Sequence, residues 1–455
     1  MTAGFGDTDA AWLPELVAAL GPTADVRWHE SLDRVVTMRF GPDSRPGRTV
    51  GSAISRDAGV ATRVWSGRRR EERHVALPDP AGRWAEVPGA PLCRVGRTSG
   101  PPRLPASRGL VREGWADPPD VVSVVAAAAG AVTEVGGSAR TTVTVRARDD
   151  TVAVANSAGA HIVSVGTWLS LDVEVAAGGR TAATGRLLEP SDDPAAVVAA
   201  LVAPLAGEAT ARLDPTAAGR TAVVVDPEFA GLLAHEMVGH ALEGDTGGES
   251  PAWAEPGRPV ANADVTIRDD PTIYCPYGSV WDHEASVSVP VDLVLDGVVG
   301  GRLHSISSAE RTAEPSSGHA RAVSWRHPPI PRMSTTFFAP GRAGAEELMA
   351  QVEDGLFLYG ARGGDGSGPG FWACSRGSAR IRAGKPGPRG GPVLLYGDAA
   401  RLLASIQGVG GDWTLFGGGE GGCGKLGQFP FPVASGGASL LLVSVPVAPL
   451  RGRRR

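Results

Sequence analysis

His235, Glu236 and His240 stand within one short stretch, Ala234-His-Glu-Met-Val-Gly-His-Ala-Leu-Glu-Gly-Asp245. Two imidazoles can hold a metal ion while a carboxylate beside them takes a proton from water, the division of labour in helical zinc hydrolases. With 9 histidines and 49 acidic residues in 455 positions, chance supplies about 0.02 such strings per chain of this composition. The pattern therefore outweighs the plainer alternative, a polar helix face with hydrogen-bonded histidines. Its spacing is unusual. Histidines of helical zinc sites are ordinarily four apart, whereas these are five apart, roughly 140° around an ideal helix of 3.6 residues per turn. Either the helix widens at Gly239, as a π-bulge allows, or His240 sits at its fraying end.

A catalytic zinc takes three protein ligands and leaves one position open, so a third ligand must come from elsewhere in the chain. Cys423 is the best candidate. It lies in a glycine-dense stretch, Gly417 to Gln428, where bare backbone can close around an ion and the sulfur would bind as thiolate. An ordinary buried cysteine is the alternative, disfavoured because no apolar run flanks it to bury it. Within the same stretch Gly419 to Lys425 fits part of a phosphate-binding loop, but position 426 is Leu rather than Ser or Thr. The next residues, Gln428-Phe-Pro-Phe-Pro432, cannot open the helix such a loop needs, which argues against a nucleotide site. A thiolate ligand would trim the metal's pull on water and make Glu236 matter more as general base. Glu243 and Asp245 either orient an imidazole from behind or are simple helix-end carboxylates.

These groups need elements to position them. Thr221-Ala-Val-Val-Val-Asp226 reads as a short buried strand, and Pro227 to Leu242 as the helix carrying the two histidines. Upstream, residues 9–20 and 120–133 and a segment from Asp193 to about Ala206 have helical patterns. Between them, 25–29, 34–40, 59–65, 141–146, 151–156, 161–171 and 171–176 alternate as strands, while prolines between Leu77 and Pro105 mark a loop or linker. Downstream, strands are expected at 265–267, 287–295 and 301–305, with short helices at 346–352 and 398–405. The 63 glycines and 37 prolines favour short elements over a helical bundle. The fold class is accordingly expected to be α+β: a mixed N-terminal domain over 1–220, in two sub-blocks of about 1–105 and 116–212, and then a β-rich C-terminal domain over 221–455.

A formal charge of −5, from 44 basic and 49 acidic residues, gives no nucleic-acid footprint. The Arg68-Arg69-Arg70 and Arg451 to Arg455 runs read as solvated surface. Cysteines at 93, 275, 374 and 423 form no CxxC pair, as expected of a reduced compartment. The acidic start lacks a signal-peptide core, and the apolar run Val121 to Val132 is too short to span a bilayer. A soluble cytoplasmic protein with no membrane or nucleic-acid partner is the expectation.

The two metal-ligand stretches, His235-Glu-Met-Val-Gly-His-Ala-Leu-Glu-Gly-Asp245 and Cys423-Gly-Lys-Leu-Gly-Gln428, resemble the signature stretches of the TldD/PmbA metallopeptidase family. Asp270-Pro-Thr272, Gly318-His-Ala-Arg321, Pro331-Arg-Met333 and Ile406 to Asp412 fall between them in the family's order. The resemblance is strongest from about 221 to 440. It implies a zinc (Zn2+) peptidase with a β-rich C-terminal metallopeptidase domain, His235, His240 and Cys423 as metal ligands and Glu236 as catalytic residue. It also implies a peptide substrate, unfolded or modified, and a homodimer or a heterodimer with a metal-free relative, this chain being the member with the intact His-Glu motif. His319 and Arg321 are expected to contact substrate, Arg being suited to bidentate recognition of a carboxylate. One departure stands out: where the family tends to have two aspartates, a glutamate and a glycine, this chain has Asp282-His283-Glu284-Ala285, and His283 is either a surface residue or a new polar contact near substrate. A pathway-specific amidase acting on a small-molecule amide and a non-catalytic scaffold or binding subunit remain the alternatives.

Overall fold

The computed structural model describes residues 10–41, 48–66, 69–76, 92–97, 102–116, 118–135, 139–210, 218–246, 250–273, 280–366, 370–417 and 422–450. Helices α1 (Leu13–Leu20), α2 (Val121–Val135) and α3 (Pro194–Thr210) form where the sequence places helices. Strands β1 (Ala24–Phe40), β2 (Arg48–Ser66), β3 (Arg69–Ala76), β4 (Leu92–Arg97), β5 (Arg108–Gly114), β6 (Arg140–Asn156), β7 (His161–Ala177) and β8 (Arg180–Leu188) make up the N-terminal sheet. Several expected strands are fused. Segments 25–29 and 34–40 are one strand of 17 residues, as are 141–146 with 151–156, and 161–171 with 171–176. Residues that read as interruptions pair across the ladder instead: Asp33 faces Arg148, with Arg148 bonded to Asp33 at 3.3 Å and Arg34 bonded to Asp149 at 2.8 Å. Cross-strand pairs of opposite charge favour continuing the ladder through positions where single-strand propensity would end it.

Of the proline-rich Leu77 to Pro105 stretch, β4 is a strand rather than loop, while 77–91 and 98–101 lie outside the described residues. Valines of α2 and α3 close over one face of this sheet, Val124, Val125, Val198 and Leu205 meeting Leu169 and Leu171. Leu13 and Val17 of α1 pack with Val26, Trp28 and Ala153.

Among the described residues this sheet counts 14 strands and continues past residue 220. Strand β8 joins Thr414–Gly417 through the pair Gly417 and Arg186, and the sheet runs on to Ala434–Gly437, Thr335–Phe338, Ile267–Asp269, Val291–Leu295 and Val298–Val299. The mixed α+β N-terminal region thus leads into a β-rich C-terminal one. There a 7-stranded sheet holds strand β9 (Gly219–Val225) between Asp354–Asp365, parallel, and Leu440–Pro449, antiparallel. Val223, Val224 and Val225 are fully buried, the signature of a central strand covered on both faces. The strand expected at 287–295 begins only at Val291, since Pro290 has no amide hydrogen to give the ladder. That at 301–305 does not form beyond an isolated bridge of Leu303 with Glu243. The short helices at Ala345–Ala350 and Ala399–Ala404 do. Among the described residues no helix is long and apolar enough to cross a membrane.

Candidate metal centre

Strand β9 ends at Val225, and the chain turns through Asp226 at once into helix α4 (Pro227–Leu233). Asp226 caps it, one carboxylate oxygen accepting from the Phe229 amide at 2.8 Å and the other from the Gly360 amide at 2.9 Å. Pro227 at the first turn needs no amide partner there. Burial, with Glu228 close by, pushes the Asp226 carboxyl up to about 7.

Two irregular turns after α4 account for the five-residue histidine spacing. Residues Ala234–Gly239 form a π-helical turn and His240–Leu242 a 3-10 turn that ends the element. The His240 amide donates to the His235 carbonyl, so the wider turn closes on the two histidines themselves and brings their rings to 4.9 Å between centroids, nearly perpendicular at 86°. Gly239 permits this. A Cβ there would lie 1.9 Å from Met333 Sδ, so only a bare backbone lets the widened turn press against that side chain.

Cys423 opens the strand Cys423–Lys425, which pairs with Gln428–Phe431 in a hairpin. Leu426 and Gly427 at its tip both have positive φ, 49° and 78°. The expectation that little would bury Cys423 is corrected. It is 5 % exposed and belongs to the main core cluster, together with residues remote from it in sequence; its neighbours 418–421 lie outside the described residues. Arg332, itself buried, donates to the Cys423 carbonyl at 3.0 Å and lies over the Phe431 ring.

The Cys423 sulfur is 3.2 Å from His240 Nε2, and one donor atom from each of His235, His240 and Cys423 lies within 4.8 Å of the others. The cluster is capable of coordinating a metal ion. Burial alone would raise the Cys423 thiol, but His235 and His240 outweigh it and hold the group at about 6, ready to serve as thiolate. Glu243 stands behind His240, its Oε2 3.0 Å from His240 Nδ1 and 3.1 Å from Lys425 Nζ. Burial works against that carboxylate too, yet Lys425 and His240 bring it down to about 2. Burial likewise opposes charge on His240, and Glu243 and Cys423 still raise it well above an ordinary imidazole. Of the two acids left open by the sequence, Glu243 therefore orients the imidazole, while Asp245 bonds Lys425. Lys425, the lysine of the rejected phosphate loop, ties the cysteine hairpin to the histidine turn, a role invisible in sequence.

Glu236 is nearly buried, its Oε2 3.9 Å from His240 Nε2. A Cβ on Gly364 would come within 2.8 Å of Glu236 Cγ, and one on Gly366 within 1.7 Å of its carbonyl oxygen, so two glycines make the floor on which it rests. His319 and Arg321 do not join the donor atoms of the cluster. Both are fully buried: His319 Nε2 is 3.0 Å from Asp269 with Nδ1 on Ser317, and Arg321 donates to the Gly318 carbonyl and to Ser288. Asp269 also accepts from Ser334 and Thr336, so this network braces the segment that delivers Arg332 and Met333. His283 is not at the surface. Its Nδ1 accepts from the Ala322 amide, its ring meets that of His29 at 5.6 Å, and burial, with His29 and Arg27 nearby, holds it well below the usual imidazole range.

Residues 218–448, just over half of the chain, match the PmbA/TldA metallopeptidase C-terminal domain. A metalloprotease of Methanothermobacter thermautotrophicus is 37% identical over 239 residues, 51% of this chain and 51% of that protein. A metalloprotease TldD homolog of Haemophilus influenzae is 30% identical over 236 residues, 50% of this chain and 48% of that protein. The chain thus spans about half the length of the curated relatives it matches. The crystal structure of TldE from Thermococcus kodakarensis shares the fold over 97% of this chain and 100% of its own, with a TM-score of 0.71 at 13% identity. On the extent of the domain match, the chain belongs to the TldD/PmbA metallopeptidase family.

Proposed function

We propose that this chain is a zinc-dependent peptidase that hydrolyses amide bonds in unfolded or modified peptides, with Glu236 as its general base. The observation that carries the proposal is the position of the Glu236 carboxylate, 3.9 Å from the His240 nitrogen that faces Cys423. Two imidazoles and one thiolate suit zinc, which when bound would acidify water and polarise a carbonyl. His235, His240 and Cys423 would hold the ion, and Glu243 would fix the tautomer of His240 by accepting from Nδ1. Glu236 accepts the proton of the attacking water and passes it to the leaving nitrogen. We assign His319 and Arg321 to bracing that framework rather than to substrate. Likeness in fold to a TldE structure supports a paired assembly with a relative lacking the His-Glu motif, which copurification would reveal.

Glu236→Gln is the test. The variant should keep about one zinc per chain and lose peptide hydrolysis by roughly 10²–10⁴-fold, the span of general acid–base contributions. Zinc retained with full activity would sink the general-base role, and a wild-type chain that binds zinc but cleaves neither peptides nor small amides would point to a metal-holding scaffold.

A further inference from the structure

A cavity of about 300 Å³ opens beside Glu236. Its walls are Trp253, Phe371 and Met237, with alanines 241, 252 and 400 between them. Trp253, Phe371 and Met237 belong to the buried core, so these walls are rigid and set by packing. Glu236 forms one wall, and the same residue reaches to within 3.9 Å of His240. Glu236 is therefore shared between the cavity and the surroundings of the donor cluster. Gly366, also lining the cavity, packs so closely on the Glu236 backbone that a Cβ there would lie 1.7 Å from its carbonyl oxygen. The charges present are Glu236 itself and, exposed and opposite in sign, Arg258 and Asp398.

Resting on the peptidase reading above, we infer that this cavity is the subsite for one apolar side chain of the substrate, aromatic or large aliphatic, next to the bond that is cut. The volume lies at the bottom of the range of ligand pockets, roughly 300–1,000 Å³, which fits a side chain rather than a whole small molecule. Aromatic walls give an aromatic guest ring contacts beyond its area burial. An acidic side chain would meet Glu236 as a like charge, and a basic one would pair with it and occupy the proton acceptor the reaction needs.

The experiment uses the zinc-loaded full chain and matched peptides differing at one position among Gly, Leu, Phe, Lys and Glu, scanned through the peptide. At one position flanking the cleaved bond, kcat/KM should rise about 10–100-fold from Gly to Phe or Leu, the usual range for filling a hydrophobic pocket. Ala400→Trp fills the cavity from one side and Ala252→Trp, at an exposed loop position, from another. Each should keep its zinc and compress that preference to about threefold or less. Calorimetry of the same peptides with the Glu236→Gln chain reads the subsite without turnover and should show the same order. A preference for Lys or Glu, or an apolar preference that survives both tryptophans in zinc-loaded protein, overturns the assignment. Phe-selective binding without turnover in the wild type would instead sink the catalytic reading and leave the subsite standing.

Discussion

Replacing Glu243 by Gln tests whether the site is tuned from behind the ligands. The carboxylate accepts from His240 Nδ1 at 3.0 Å and from Lys425 Nζ at 3.1 Å on a single oxygen, with 1 % exposure of the residue. Glutamine keeps the shape and one carbonyl acceptor but removes the charge, so His240 loses its charge-assisted bond and Lys425 keeps Asp245 and the Pro331 carbonyl. Partners of this kind are worth about 10–100-fold in metal affinity, or roughly 1.4–2.7 kcal/mol. The assay is zinc competition against a chelator, run from pH 8 down to pH 5.5. The pH dependence has a definite sign. Glu243 raises the His240 pKa, so protons compete for the wild-type imidazole more strongly than for that of the variant. The deficit of Glu243→Gln should therefore be largest near pH 8 and shrink as pH falls. A zinc Kd within threefold of wild type at pH 8, or a deficit that grows on acidification, would refute the argument.

Cys423→Ser leaves two imidazoles and an alcohol in place of the thiolate, and zinc affinity should fall more than 100-fold by the same competition assay; unchanged affinity would move the third-ligand role elsewhere. Gly239→Ala drives a methyl into Met333 Sδ and should cost about 1–3 kcal/mol in urea unfolding, the usual range for overpacking; part of the loss should return in the double variant with Met333→Ala, and strict additivity would show that the contact is not the cause. Asp226, held at about 7 against 3.8 for an ordinary aspartate, binds its proton more tightly folded than unfolded. Its contribution is therefore fully present below pH 3.8 and lost as pH rises through 7, on the order of 4 kcal/mol for about three pKa units. Asp226→Asn should flatten this part of the stability profile between pH 4 and 8, and an unaltered slope would acquit the residue.

The histidine helix was legible because three independent signals agree there: a buried valine strand, an Asp-Pro start and an improbable cluster of metal-binding types. Its geometry was legible only as a choice. A widened turn and an early end both account for a five-residue spacing, and the structure uses both, a π turn over 234–239 and termination at Leu242. Cys423 could be named from its glycine-dense setting, yet its burial could not, because the atoms that cover it come from segments far away in the chain. The long strands were cut short for a related reason. Asp33 and Arg148 look like ends of strands until each is seen facing the other across the ladder, and a pairing partner is information that a local window does not contain. Arg332 had a weak signal as part of Pro331-Arg-Met333, and Lys425 was noticed only as a fragment of the wrong motif. The bonds of His319 and Arg321 were equally hidden: both sit in a distinctive polar string, and the buried carbonyls, hydroxyls and Asp269 that they meet come from several segments.

The hairpin that presents Cys423 has a consequence for synthesis. Ribosomes deliver His235 and His240 long before Cys423, which is 183 residues beyond His240. No fragment that stops short of the hairpin holds the three donors together, and the residues that pack the histidine turn, Met333, Gly364 and Gly366, also follow it in the chain. On the proposed reading, a chain with its donors in this order would lack the third of them during most of its own translation, so truncated products released from the ribosome would carry two imidazoles and a carboxylate without the thiolate that completes the cluster.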